Sequence, residues 1–175
     1  MKYTYTQDQY MQLLEVILMF NIQSLNLNML SKEFSVSRMT FVNCMKKIKN
    51  KLNDFNICIE YDKYYYLVAD EISLFNYRHL LLKQLIGIYY KVELNYLEHK
   101  IIFCLAQSIH NIQLPDVHWI LNRFMNENQL IIKDDDCDFL EISILLILWY
   151  NINHKNIPDN IDIFKNDVHI EDYLV

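Results

Sequence analysis

A chain of 175 residues that holds one glycine and two prolines has very little with which to make tight turns. Sandwiches and barrels need many such turns, and glycine and proline are the residues that supply them. The same scarcity excludes a Gly-rich phosphate loop. Gly87 has no companion glycine, so neither the dinucleotide fingerprint nor the Walker pattern is present. What remains is helices joined by loops containing Asn and Asp, and a mainly α fold is expected.

The chain is 53% hydrophobic and 22% charged, enough apolar mass for a packed core. Its length suits one compact domain or two small ones. Cys44, Cys58, Cys104 and Cys137 lie far apart, so zinc and redox CxxC spacings are absent. Each sits among apolar neighbours and is expected to be a small buried hydrophobe. Residues 1–12 are too polar for a signal peptide. The longest apolar run, FLEISILLILWY at 139–150, is too short to span a bilayer and contains Glu141. It is expected to be a buried helix. Together these features predict a cytoplasmic protein with reduced thiols and no membrane partner.

The hydrophobic period divides the chain. Tyr10, Leu13, Leu14, Ile17 and Leu18 share one face of a helix over 8–20, with Thr6 or Asp8 as its cap. A short helix over 28–34 points Leu30 and Phe34 inward. After the triplet SVS, a longer helix begins at Ser37, whose hydroxyl can cap it. Phe41, Met45, Ile48 and Leu52 form its apolar stripe. The period then switches to two. Phe55, Ile57, Ile59 and Tyr61 alternate, and YYYLVA at 64–69 reads as the returning strand of a hairpin. Helices return over 71–91 and 95–111, and again from Pro115. Asp138 with Glu141 is expected to form a capping box for the run at 139–150. These readings predict three units: residues 1–70 as three helices and a hairpin, 71–150 as a helical regulatory or dimerisation domain, and 151–175 as an acidic tail.

Charge follows the same division. Residues 1–70 carry 8 basic and 7 acidic side chains; residues 71–175 carry 8 and 15. Net charges of +1 and −7 sum to the −6 of the whole. Within the first unit the window 31–53 gathers six Lys or Arg against one acid. Helix, short turn, longer helix and hairpin is the order of a winged helix-turn-helix, in which the second helix of the motif enters the DNA major groove. Off the apolar stripe, Ser37, Arg38, Thr40 and Asn43 are placed to reach base edges, since Arg pairs with guanine and Asn with adenine. Lys46, Lys47, Lys49 and Lys51 are placed to neutralise phosphates. Tyr64 and Tyr66 of the hairpin are candidate phenolic donors to the backbone. A local positive field suffices on an acidic protein, because it decays over about 8–10 Å. The competing reading of the lysine run is a solvated face with no ligand.

The stretch LSKEFSVSRMTFVNCMKKIKNKL at 30–52 resembles the helix-turn-helix of Firmicute transcription regulators of the Mga type and of activators carrying PTS regulation domains. Leu30, Ser31, Phe34, Val36, Ser37, Thr40, Phe41, Met45, Ile48 and Leu52 occupy the places of that pattern, and Cys44 stands where Asp is usual. In 64–85, Tyr65, Leu67, Glu71 and Arg78 are similar to the wing end and exit helix, with Arg78 displaced by a residue. Tyr64 and Ala69 replace the two glycines. The resemblance covers residues 8–85. It implies a winged helix-turn-helix followed by an α-helical bundle, double-stranded DNA as partner, and regulation through a further protein partner. A family member of full length would be longer, which points to a fragment or a minimal relative.

No other constellation competes. His79, His99, His110, His118, His154 and His169 show no metal-ligand spacing, and His99 is expected to be a surface or structurally bonded residue. KDDDCDFLE at 133–141 fails the calcium-loop pattern, with Phe139 where glycine belongs. No nucleophile signature is present, so no catalytic residue, metal or cofactor is assigned and no enzyme is expected. Symmetric regulators bind as dimers, and a homodimer through helices within 95–150 is expected, with Ile144, Leu148 and Trp149 at or just under the contact. Two other functions fit the same order of elements: a winged-helix protein-interaction module without DNA contact, and a plasmid or phage replication protein.

Overall fold

The computed structural model describes residues 5–20, 25–153 and 155. Among them the order is α1 (Gln7–Met19), α2 (Leu27–Glu33), α3 (Arg38–Asn53), β1 (Cys58–Tyr61), β2 (Tyr65–Val68), α4 (Glu71–Tyr89), α5 (Tyr96–Ser108), α6 (Leu114–Asn128) and α7 (Asp134–Ile152). The protein is mainly helical, with one antiparallel hairpin. Among the described residues no helix is long and apolar enough to cross a membrane. The expected tail at 151–175 lies outside the described residues beyond Lys155.

Local chemistry starts each helix. Thr6 and Gln9 form a capping box on α1, and Asn95 and Glu98 form one on α5. Asn26, Ser37 and Asp70 cap α2, α3 and α4, each side chain accepting from backbone N–H groups of the first turn. The helix ends are less usual. Ser35, Asn56 and Gln129 adopt left-handed backbone, with φ of 54°, 58° and 56°. After α2, Ser35 N–H bonds Lys32 O and Val36 N–H bonds Ser31 O. Asn56 and Gln129 close α3 and α6 by the same pair of bonds. This is the Schellman closure, in which glycine is the usual residue.

α3 crosses α1 and packs beside α2, and the hairpin lies against α3 and α1. The other side of α1 is covered by α5 and α4, so every residue from Leu13 to Met19 is buried. α7 packs on α4 and α6. The buried residues form one connected cluster from Tyr10 to Tyr150. Tyr10 meets Phe34 and Phe41 edge to face, at 5.7 and 5.1 Å between ring centres. α5 also holds the end of α2: Tyr96 packs on Phe34 and donates to Glu33, which pairs with Lys100 at 3.2 Å. Arg78, 2% exposed, ties three helices together. Its Nε donates to Met19 O at 2.8 Å, an Nη donates to the Tyr150 hydroxyl at 2.6 Å, and the guanidinium lies 4.4 Å from the Trp149 ring centre. Burial lowers its pKa, opposed by Tyr150 and Glu71.

Three expectations need correction. The first strand begins at Cys58, not residue 55, because Asn56 is spent closing α3; Phe55 instead meets Tyr77 edge to face, with ring centres 4.9 Å apart. The capping box at Asp138 does not form. α7 begins at Asp134 after Lys133, and Glu141 is 1% exposed, taking hydrogen bonds from His118 and Tyr90. Of the four cysteines only Cys44 and Cys104 are buried; Cys58 faces outward on the hairpin and Cys137 is half-buried.

Candidate nucleic-acid interface

The sixteen residues of α3 contain no acid. One side of the helix is core: Phe41, Cys44, Met45, Ile48 and Leu52 are all buried. The other side exposes Arg38, Met39, Asn43, Lys46, Lys47, Lys49 and Asn50. The 3.6-residue period makes this separation: removing the apolar stripe from the sequence leaves the polar and basic residues on the opposite arc. A helix of this length spans about 24 Å.

The ten residues singled out from the sequence fare differently. Ser37 Oγ accepts the Thr40 N–H at 3.2 Å and lies 3.1 Å from Thr40 Oγ1, so both hydroxyls are engaged in starting the helix. Arg38 and Asn43 are exposed and have no side-chain partner among the described residues. Lys46 is likewise exposed and unpaired, and with Lys49 it lines a groove between α3 and the hairpin residues Ile59, Glu60, Tyr61 and Tyr65. Lys47 is exposed and donates to Gln7 Oε1 at 2.8 Å. Lys51 is directed inward. Its Nζ lies 3.0 and 3.2 Å from the two oxygens of Glu15, a carboxylate 1% exposed that also accepts from the Tyr77 hydroxyl at 3.1 Å.

The hairpin pairs Cys58 with Val68, Ile59 with Leu67, Glu60 with Tyr66 and Tyr61 with Tyr65. Tyr64 is therefore in the connecting loop, exposed, and not on a strand face with Tyr66. Tyr66 donates to Glu60 across the ladder at 2.8 Å, and that hydrogen bond raises its phenol pKa. Its proton is already engaged by a carboxylate.

One residue escaped the sequence reading. Lys63, at the hairpin tip, comes to the same cleft as Arg38. Nothing in the sequence pairs them, since only the fold-back of β1 and β2 brings the tip to the start of α3.

Compared with described protein families, with curated proteins and with solved structures, the chain matches none.

Proposed function

We propose that the protein is a cytoplasmic, sequence-specific double-stranded-DNA-binding transcription regulator built on a winged helix-turn-helix. In this reading α2 and α3 are the helix-turn-helix, α3 enters the major groove and the hairpin is the wing. The supporting observation is the asymmetry of α3: an acid-free exposed arc with unpaired Arg38, Asn43, Lys46 and Lys49 opposite a fully buried stripe. A major groove about 12 Å wide admits one helix. Asn43 is the proposed base reader, and Lys46, Lys47 and Lys49 are the phosphate contacts. The resemblance to Mga-type regulators points the same way. The helices after residue 70 carry dimerisation and the response to a regulatory protein.

The test is duplex binding against salt. The Lys46→Ala/Lys47→Ala variant should weaken binding on every duplex, and its log-affinity slope should flatten by about 0.9 for each phosphate that is no longer neutralised. Asn43→Ala should weaken a site selected from a genomic pool more than a random duplex. Failure of the wild type to retain any duplex at low salt would sink the reading. One observation favours a protein-interaction module in that event. Glu60, Tyr66 and Val68 are exposed together on the hairpin, a surface better suited to protein than to phosphate.

A further inference from the structure

The start of α2, the first turn of α3 and the hairpin tip enclose a small cleft of about 140 Å³. Its walls include Asn26, Asn28, Arg38, Tyr61, Lys63 and Tyr64. No acidic residue lines it. Arg38 and Lys63 are exposed, and neither has a side-chain partner among the described residues. Asn26 uses its carbonyl oxygen to cap α2, accepting from Asn28 N–H at 3.0 Å, which leaves its amide N–H groups free to donate. The Asn28 amide and the Tyr61 and Tyr64 hydroxyls are uncommitted neutral donors.

Two unpaired cations on the walls of one cleft repel each other; a backbone bond from Asp62 N–H to Tyr64 O at 3.2 Å shapes the hairpin tip, but no side-chain bond among the described residues holds the Lys63 ammonium there. An anion between them turns that repulsion into two attractions. The donors are a planar fork, a point charge, amides and phenols, and a tetrahedral oxyanion can accept from all of them at once. Arg38 belongs both to the cleft and to the exposed arc of α3.

We propose that this cleft is a phosphodiester-binding site in which Arg38 and Lys63 together grip one backbone phosphate, which rests on the DNA-binding reading above. Arg38 then positions the protein on DNA and does not read a base. The neutral donors set which phosphate oxygens face inward, and Lys63 couples the hairpin tip to the duplex.

Two measurements on the full chain separate this site from the reading it rests on. In the first, dimethyl phosphate, a lone phosphodiester, is titrated against the protein with backbone amides followed by NMR. Saturable shifts at residues 26–28, 38 and 63–65 are expected. Arg38→Ala or Lys63→Ala should weaken them at least about fivefold, and Lys46→Ala should leave them unchanged. Absent shifts, shifts untouched by either cleft variant, or equal affinity for acetate would overturn the site. In the second, duplex affinity is measured. Arg38→Ala and Lys63→Ala should each cost about tenfold on every sequence, and the double variant should cost less than the product of the two. A product that multiplies out fully, or an Arg38→Ala loss confined to the selected site, would overturn the shared grip. Dimethyl phosphate binding without duplex binding would instead remove the DNA reading and leave the cleft's affinity standing. Both substitutions remove exposed side chains, so unchanged circular dichroism is expected for each variant.

Discussion

Lys46 and Lys51 are indistinguishable as letters in a basic run, yet the fold gives them opposite tasks. Lys46 is exposed and unpaired; Lys51 is bound to Glu15, which is 1% exposed. A carboxylate that deep needs partners, and Lys51 and Tyr77 are the ones it has. Burial raises the Tyr77 phenol pKa, and the negative Glu15 raises it further, so this hydroxyl stays a donor. Lys51→Ala should lower unfolding free energy by about 1–3 kcal/mol in urea, because it strands the carboxylate. Lys46→Ala should stay within about 0.5 kcal/mol. On duplex DNA the order reverses: Lys46→Ala flattens the salt slope and Lys51→Ala leaves it unchanged. A flattened slope for Lys51→Ala would mean that it leaves Glu15 to meet phosphate. The basic arc was legible in the sequence because a helix sorts its residues by a fixed angle. The Lys51–Glu15 pair was not, because its members are 36 positions apart and meet only where α3 crosses α1. The Arg38–Lys63 cleft was hidden for the same reason.

Helix beginnings were more legible than helix ends. Ser37, Thr6 and Pro115 mark starts by the side-chain chemistry that the first turn requires, and all three stand at starts. Ends are usually marked by glycine, and here Ser35, Asn56 and Gln129 occupy the left-handed positions. With no glycine to signal the close of α3, the alternation of Phe55 with Ile57 looked like strand. The start of α7 was obscured because an acidic run can be loop or first turn, and Lys133 makes no side-chain cap there. The one glycine lies inside α4, exposed, with nothing within 4 Å of where a Cβ would sit. Exchanging these roles should stabilise the protein. A left-handed residue with a Cβ costs about 1–2 kcal/mol, part of which glycine returns as unfolded-state freedom, so Ser35→Gly and Gln129→Gly should each gain about 0.5–1 kcal/mol. Gly87→Ala should gain a similar amount, about 0.5–1 kcal/mol, from helix propensity. Thermal unfolding of the three single variants measures this. A lower midpoint for Gly87→Ala would mean that α4 needs the flexibility of Gly87, and a lower midpoint for Ser35→Gly would mean that the serine side chain contributes to the α2–α3 turn.

At the scale of the whole molecule the question is what covers the outer face of α6 and α7. The apolar run at 139–150 needed burial, and the chain itself supplies most of it. Ile142, Leu145, Leu146, Trp149 and Tyr150 are buried, and α7 packs on α4 and α6. Ile144 and Leu148 are only half-buried. They line a groove whose other wall is Val117, Ile120, Leu121 and Phe124 of α6. Trp119, Ile120 and Phe124 remain 62%, 60% and 54% exposed. Ile120 and Phe124 thus line the groove and stand exposed at it, and a two-fold contact requires a self-complementary surface on each copy. The dimer expected of a symmetric regulator would place a second copy on this face, and its two α3 helices would then be required to meet half-sites about 34–36 Å apart. Residues 71–175 carry a net charge of −7, so two copies repel through this half and apolar burial must overcome that repulsion. Salt should therefore tighten the dimer while it loosens DNA, because it screens like charges in one case and competes for phosphates in the other. Phe124→Glu should convert the dimer to a monomer in sedimentation at about tens of micromolar, a modest interface being half-dissociated near that range. The variant should lose affinity for a two-half-site duplex and keep its affinity for a single half-site. A wild-type chain that sediments as a monomer at that concentration would defeat the two-fold assembly, and α3 would then have to find one site at a time.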